Sequence, residues 1–198
     1  MVARNGALPD VQLIADGLQL RPFTMGDIEL IEEAATDSFI PLITTVPSGF
    51  TAQEGEAFIQ RQLGRRESGE GWSLAIHDDG SDRAVGQIGL WMGNAHKGRA
   101  EIGYWVVASA RGSGFAARAT DLLSDWALRT LDITRLSLFI EPWNVASVRT
   151  AEAAGYRCEG LLERWERVDG VAKDMYSFVR LDPNGPASSD DPIAFTAR

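Results

Sequence analysis

A four-residue turn, Arg111-Gly112-Ser113-Gly114, separates two stretches of different periodicity. Before it, Glu101 to Val107 reads as a strand. After it, Phe115, Ala119, Leu122 and Trp126 fall on one face of a helix. A second apolar run of high β-propensity, Leu136 to Ile140, comes next. Strand, crossover helix and strand call for a βαβ-like unit with parallel pairing.

The flanks follow another pattern. Trp72–His77 and Ala84–Trp91 alternate and end in the turns Asp78-Asp79-Gly80 and Gly93–Gly98, so with Glu101–Val107 they predict an antiparallel meander. Upstream, Gly17–Arg21 is a strand that stops at Pro22, which has no donor for a ladder. Thr24, with Asp27 three residues on, opens a helix carrying Ile28, Ile31 and Ala35. Thr51-Ala52-Gln53-Glu54 is a capping box for a second helix, running through Phe58, Ile59 and Leu63 to about Gly64. Between them, Phe39 to Phe50 reads as a loop near a binding site or a short irregular helix. Downstream, a helix from Val145 to Ala154 ends at Gly155, a strand starts at Tyr156, and Asp169-Gly170 turns it back into a last strand, Lys173–Leu181. Residues 1–16 are expected to be flexible, 17–182 to form a single domain, and 183–198 to be a disordered acidic tail.

Composition narrows the function. At 198 residues and 44% hydrophobic, the chain suits one domain with a real core. It has no apolar run long enough to span a membrane, and no h-region follows its start. The single cysteine, Cys158, excludes a disulfide framework and a Cys-rich zinc site, reads as a small core residue, and fits a cytoplasmic, reducing compartment. His77 and His96 sit at separate turns and suggest no metal pair. A net charge of -9 is the wrong sign for a nucleic-acid partner. The acidity either attracts cations or simply maintains solubility.

The turn at Arg111 carries the chemistry. A helix N-terminus offers unpaired N–H groups and partial positive charge, which suits a phosphate or pyrophosphate. Glycines let the backbone adopt positive φ and approach the anion, and Arg111 adds a cationic fork. The pattern is neither a P-loop nor a Rossmann fingerprint, and any glycine-rich helix entry shares it.

With its context, the sequence resembles the GNAT superfamily of acyl-CoA-dependent N-acetyltransferases, whose pyrophosphate loop reads Gln/Arg-x-x-Gly-x-Gly/Ala. Arg111, Gly114 and Ala116 stand at its defined positions, and Asn144-x-x-Ser147 followed by Ala154-Gly155-Tyr156 is similar to a later family segment. Leu18-x-Leu20-Arg21-Pro22 with Asp27, the strand Glu101–Trp105, and Glu159-Gly160 resemble the RimJ/RimL-like branch, which acetylates ribosomal-protein N-termini. The resemblance implies an α+β GNAT fold: a mostly antiparallel sheet of about seven strands, one splayed parallel pair, and about four helices. It implies acetyl-CoA as co-substrate and no metal. Backbone groups of Trp105, Val106 and Val107 would hold the pantetheine arm, those of Arg111, Gly112, Ser113, Gly114, Phe115 and Ala116 the pyrophosphate, and Asn144 the pantetheine amides.

The family's usual tyrosine acid falls on Ala151, so Ser147 becomes the candidate proton donor; alternatively it only bonds the helix that Asn144 begins. Glu101 is the candidate base, unless it pairs with Arg99 or Lys97. Alternation puts Tyr104 on the opposite face from Glu101 and Trp105, hence in packing rather than in the same pocket. Trp72, Trp91, Trp126, Trp143 and Trp165 read as packing residues, Trp143 being best placed to line an acceptor pocket. An α-amino acceptor fits best, since its pKa near 8 leaves about a tenth neutral at pH 7. The other readings are a small cationic amine, such as an aminoglycoside or polyamine, and an acyl-CoA-binding module without catalysis. Because coenzyme A is anionic, Arg111, the helix terminus and Arg118 would have to form a local positive patch. Edge strands leave room for a homodimer.

Overall fold

The structure, a computed structural model, describes residues 7–185. Its centre is one eight-stranded sheet in the order β1-β2-β3-β4-β5-β6-β8-β7. The strands are β1 (Leu13–Ala15), β2 (Leu18–Pro22), β3 (Gly71–Asp78), β4 (Arg83–Trp91), β5 (Arg99–Val106), β6 (Arg135–Ile140), β7 (Arg157–Val168) and β8 (Val171–Leu181). Every neighbouring pair is antiparallel except β5 and β6. The architecture is the expected mixed α+β one, with one strand more than anticipated.

Helices cover both faces. On one, α1 (Ile28–Ala35), α2 (Ile40–Ile43) and α3 (Ala52–Glu67) bury Ile31, Phe58 and Ile59 against Ala75 and Trp105. On the other, α4 (Phe115–Thr130) and α5 (Val145–Ala153) bury Phe115, Ala119, Leu123 and Ala151 against Leu74, Ile76, Ile88 and Ile102. Strand alternation sorts residues between these cores: even positions of β5 face α4, while Trp105 faces α1 and α3. Each large side chain removed from water stabilises the fold by about 1.5–3 kcal/mol. The fixed pairing of Trp72 and Trp126, edge to face at 5.1 Å, adds geometry to that term.

Local chemistry sets the entries as expected. Thr51 accepts the N–H of Glu54 at 3.2 Å and starts α3. Asp27 accepts the N–H of Thr24 at 2.8 Å and takes both guanidinium nitrogens of Arg21 at 2.7 Å, joining β2 to the turn before α1. Burial by itself would raise the Asp27 pKa, but Arg21 and Thr24 outweigh it and hold the carboxyl low.

Three expectations need correction. The segment before residue 17, expected to be flexible, is packed from Leu8 onward: Leu8 and Val11 are buried, Trp72 Nε1 donates to the Pro9 carbonyl at 2.9 Å, and β1 pairs with β2. So short a strand shows no alternation by itself. Pro22 ends β2 inside the ladder, opposite Leu74, rather than after it. Cys158 is exposed on the edge strand β7 and is not a core residue. The expected acidic tail lies, from residue 186 on, outside the described residues, as do residues 1–6.

Candidate active site

The parallel pair is short. β5 and β6 meet only at Arg99–Arg135, Ala100–Leu136 and Glu101–Ser137, and then separate. Beyond Glu101, β5 stays with β4 as far as Gly86–Val106, while β6 continues along β8 to Ile140–Tyr176. The two strands are thus held apart by neighbours on their outer sides. Among the described residues, the inner edge of β5 from Gly103 to Val106 has no strand beside it, and unpaired backbone groups require a partner. Trp105 is fixed there by a buried polar network: its Nε1 donates to Gln87 Oε1 at 2.8 Å, and Gln87 donates to Ser73 at 2.8 Å.

Beyond this strand lies the glycine turn. Gly112 and Gly114 have φ of 81° and 76°, and a Cβ at either would meet nothing within 4 Å. The glycines are there for backbone conformation and leave open space in front. Among the described residues, the N–H groups of Gly112, Ser113 and Gly114 have no backbone acceptor, and the first turn of α4, with Phe115 and Ala116, adds its own free donors. An extended strand edge leading to a nest of N–H donors fits a peptide-like arm ending in a diphosphate.

The cations behave differently from expectation. Arg111 donates through Nε to the Val106 carbonyl at 3.1 Å and through its other end to Asp37 at 2.6 Å. Arg118 donates to the Asp16 carbonyl at 2.9 Å and lies over the Phe115 ring. Arg111 is thus neutralised by Asp37 while Arg118 keeps its charge, and the donors aimed at the turn itself are the free N–H groups of the loop and helix terminus.

On the opposite wall, Asn144 caps α5: its Oδ1 accepts the Ser147 N–H at 3.1 Å. The cap belongs to Asn144, and Ser147 contributes only its backbone to it. Tyr104 reaches this helix end from β5, its hydroxyl donating to the Ser147 carbonyl at 3.2 Å. Burial pushes the Tyr104 phenol up, partly offset by Ser147 and Thr150, so it remains a neutral donor. Ala151, the vacant tyrosine position, is fully buried.

Glu101, Tyr104, Trp105, Asn144 and Ser147 line one cavity of about 680 Å³. The expectation that Tyr104 and Glu101 could not share a pocket is therefore corrected. They do lie on opposite sheet faces, but the splay opens the sheet and joins both sides. Tyr104 does pack against the α4-side core.

Among the described residues Glu101 forms no ion pair with Arg99 or Lys97, and the charge that acts on it is a second carboxylate, Glu166. Burial first, and the Glu166 charge second, push the Glu101 pKa up. No motif in the sequence marks Glu166 or Glu141, yet both line the cavity. The ladder of β7 slips between Leu162 and Glu166, which breaks the alternation that could have assigned Glu166 a face. The α1–α2 segment closes another side with Phe39, Leu42 and Ile43. Trp143 is more than half exposed; it packs edge-on to Phe39 at 4.8 Å without itself lining the cavity. Trp165 is likewise exposed.

Residues 18–157 match the acetyltransferase (GNAT) domain family. The uncharacterized N-acetyltransferase p20 of Bacillus licheniformis is 26% identical over 169 residues, which cover 85% of this chain and 95% of p20. In fold the chain is similar to RimJ of Mycobacterium smegmatis, with a TM-score of 0.73 at 22% identity over 87% of this chain and 86% of RimJ. It is also similar to RimL, a ribosomal L7/L12 alpha-N-protein acetyltransferase, with a TM-score of 0.72 at 18% identity over 87% of this chain and 99% of RimL. The matched span includes the splayed pair, the glycine turn and the Asn144 cap, so the chain belongs to the GNAT family and is an acyl-CoA-dependent N-acetyltransferase.

Proposed function

We propose that the protein moves the acetyl group of acetyl-CoA to the α-amino group of a protein N-terminus, by direct attack in a ternary complex in the cytoplasm. One observation carries this reading: the parallel pair ends at Glu101–Ser137 and leaves a strand edge open beside a carboxylate, a serine and a glycine turn. The likeness in fold to RimL, an alpha-N-protein acetyltransferase in complex with coenzyme A, supports the choice of acceptor.

Each residue then has a task. The β5 backbone at Trp105 and Val106 pairs with the pantetheine arm, whereas Val107, expected to join them, donates its N–H to the Val85 carbonyl and accepts the Ala110 N–H, each at 3.0 Å, and so is held by the protein instead. The N–H groups from Arg111 to Ala116 hold the diphosphate, while the Arg111 side chain shapes the loop. Asn144 keeps its amide N–H donors for the arm after capping α5. Acetyl-CoA supplies an activated acyl carbon, to which the amine nitrogen bonds as the carbon–sulfur bond breaks. Glu101, its pKa raised by burial and by the Glu166 charge, takes a proton from the acceptor's ammonium and leaves the neutral amine that attacks. Ser147, beside Tyr104, returns a proton to the departing sulfur.

The test is release of free thiol from acetyl-CoA with N-terminal peptides, polyamines and aminoglycosides. Release with peptides, and a mass gain of one acetyl group at the α-nitrogen, is expected. Tight cofactor binding without release for any amine would make the protein an acyl-CoA-binding module.

A further inference from the structure

Glu141 takes no part in those steps. It directly follows β6, four residues beyond Ser137, the partner of Glu101, and is only 7% exposed. Its Oε2 accepts the indole N–H of Trp143 at 2.9 Å. Its Oε1 is buried and has no donor among the described residues. A carboxylate oxygen withdrawn from water without a donor is costly, so a ligand that supplies one is strongly favoured there. The carboxylate cannot easily swing out to solvent, because Trp143 holds it and is itself packed on Phe39.

The neutral amides of pantetheine already have neutral partners in Asn144 and the β5 edge. A charged, acceptor-only group is better matched to a cation. The reactive amine has its own acidic pole in Glu101 and Glu166. We propose that Glu141 binds a second positive charge on the acceptor, so that the substrate class is amines carrying a cationic group near the nitrogen that is acetylated. An N-terminal peptide with lysine or arginine among its first residues has this chemistry, and so does a free diamine. The proposal rests on the acetyl-transfer reading of the same cavity.

The experiment compares matched acceptors: peptides with lysine or norleucine at each of the second to fourth positions, and 1,4-diaminobutane against butylamine. In the wild type, kcat/KM for the charged member should exceed that for the neutral one by about ten- to a hundredfold, mainly through KM. In Glu141→Gln the preference should fall to near parity, with kcat for neutral acceptors kept. The pair that shows the preference identifies the source of the cation. A wild-type ratio near one overturns the proposal without any variant. So does an undiminished ratio in Glu141→Gln, or a variant that loses coenzyme A affinity instead, which would give Oε1 to the pantetheine arm. If no acceptor releases thiol, the transfer reading fails separately. Calorimetry of the same pairs on coenzyme A-saturated protein then decides Glu141: tighter binding of the charged member in the wild type alone supports it, and equal binding overturns it.

Discussion

Arg111 donates to Asp37 at 2.6 Å across 74 residues of sequence, and so ties the glycine turn to the end of α1. One helical turn earlier, Glu33 accepts the N–H and the hydroxyl of Ser109, each at 3.0 Å. Two carboxylates, one on α1 and one just past its end, thus hold the β5–α4 connection in place. Asp37 also accepts the N–H groups of Phe39 and Ile40, at 2.8 and 3.0 Å, and so orders the segment that walls the cavity. Burial works to raise its pKa, but those N–H groups and Arg111 prevail and keep it ionised.

Replacing Asp37 should therefore act on two sites at once. Asp37→Asn keeps an acceptor for the two N–H groups but removes the charge partner of Arg111. It should weaken coenzyme A binding by about three- to tenfold with little loss of melting temperature. Asp37→Ala should also lose the turn and about 1 kcal/mol of stability. Calorimetry and thermal unfolding of the two variants separate these effects.

The glycine turn makes a sharper case. Gly114 is left-handed and stands at the N-cap of α4. An alanine there costs about 1–2 kcal/mol of backbone strain, although nothing among the described residues obstructs its Cβ. Gly114→Trp should fill the space in front of the N–H nest and abolish coenzyme A binding. Unchanged affinity in that variant would remove the diphosphate assignment.

The paired carboxylates make a pH prediction. Glu101 works as a base only when ionised, and its pKa is raised, so the acid limb of kcat/KM should lie above the ordinary carboxylate range. In Glu166→Gln the repelling charge is gone and Glu101 ionises more easily. The limb of the remaining activity should move to lower pH without reaching the ordinary value, because burial, the larger cause, persists. Glu101→Gln should cost about 10²–10⁴-fold in turnover. A limb unmoved by Glu166→Gln would show that the Glu166 charge does not act on Glu101.

Ser147 can be tested apart from the cap it adjoins. Ser147→Ala retains the backbone N–H that Asn144 accepts, so α5 should stay intact. Turnover should fall by about ten- to a thousandfold with cofactor affinity nearly unchanged. Asn144→Ala should instead lose about 1 kcal/mol of stability and weaken coenzyme A binding. A wild-type rate in Ser147→Ala would pass the proton to Tyr104 or to water.

Much of this was legible from local chemistry. The caps at Thr51 and Asn144, the positive-φ glycines and the Asp169-Gly170 hairpin each depend on a few adjacent residues. The strands β3 to β5 show their period because each faces two different cores. Legibility fails where partners are distant. β1 is too short to show a period and becomes a strand only by pairing with β2. The slip in β7 that accompanies Glu166 at the cavity is a matter of register with β8, which no periodicity records.

What the sequence alone determined is the order of strands and helices from β2 onward, the βαβ crossover and the donor-rich turn at its middle, because spacing and backbone preference act within a few residues. The tertiary structure decided where the sheet opens, which side of that opening each carboxylate reaches, and that Arg111 grips Asp37. Those outcomes depend on contacts between segments far apart in the chain, and such contacts exist only once the strands have found their neighbours.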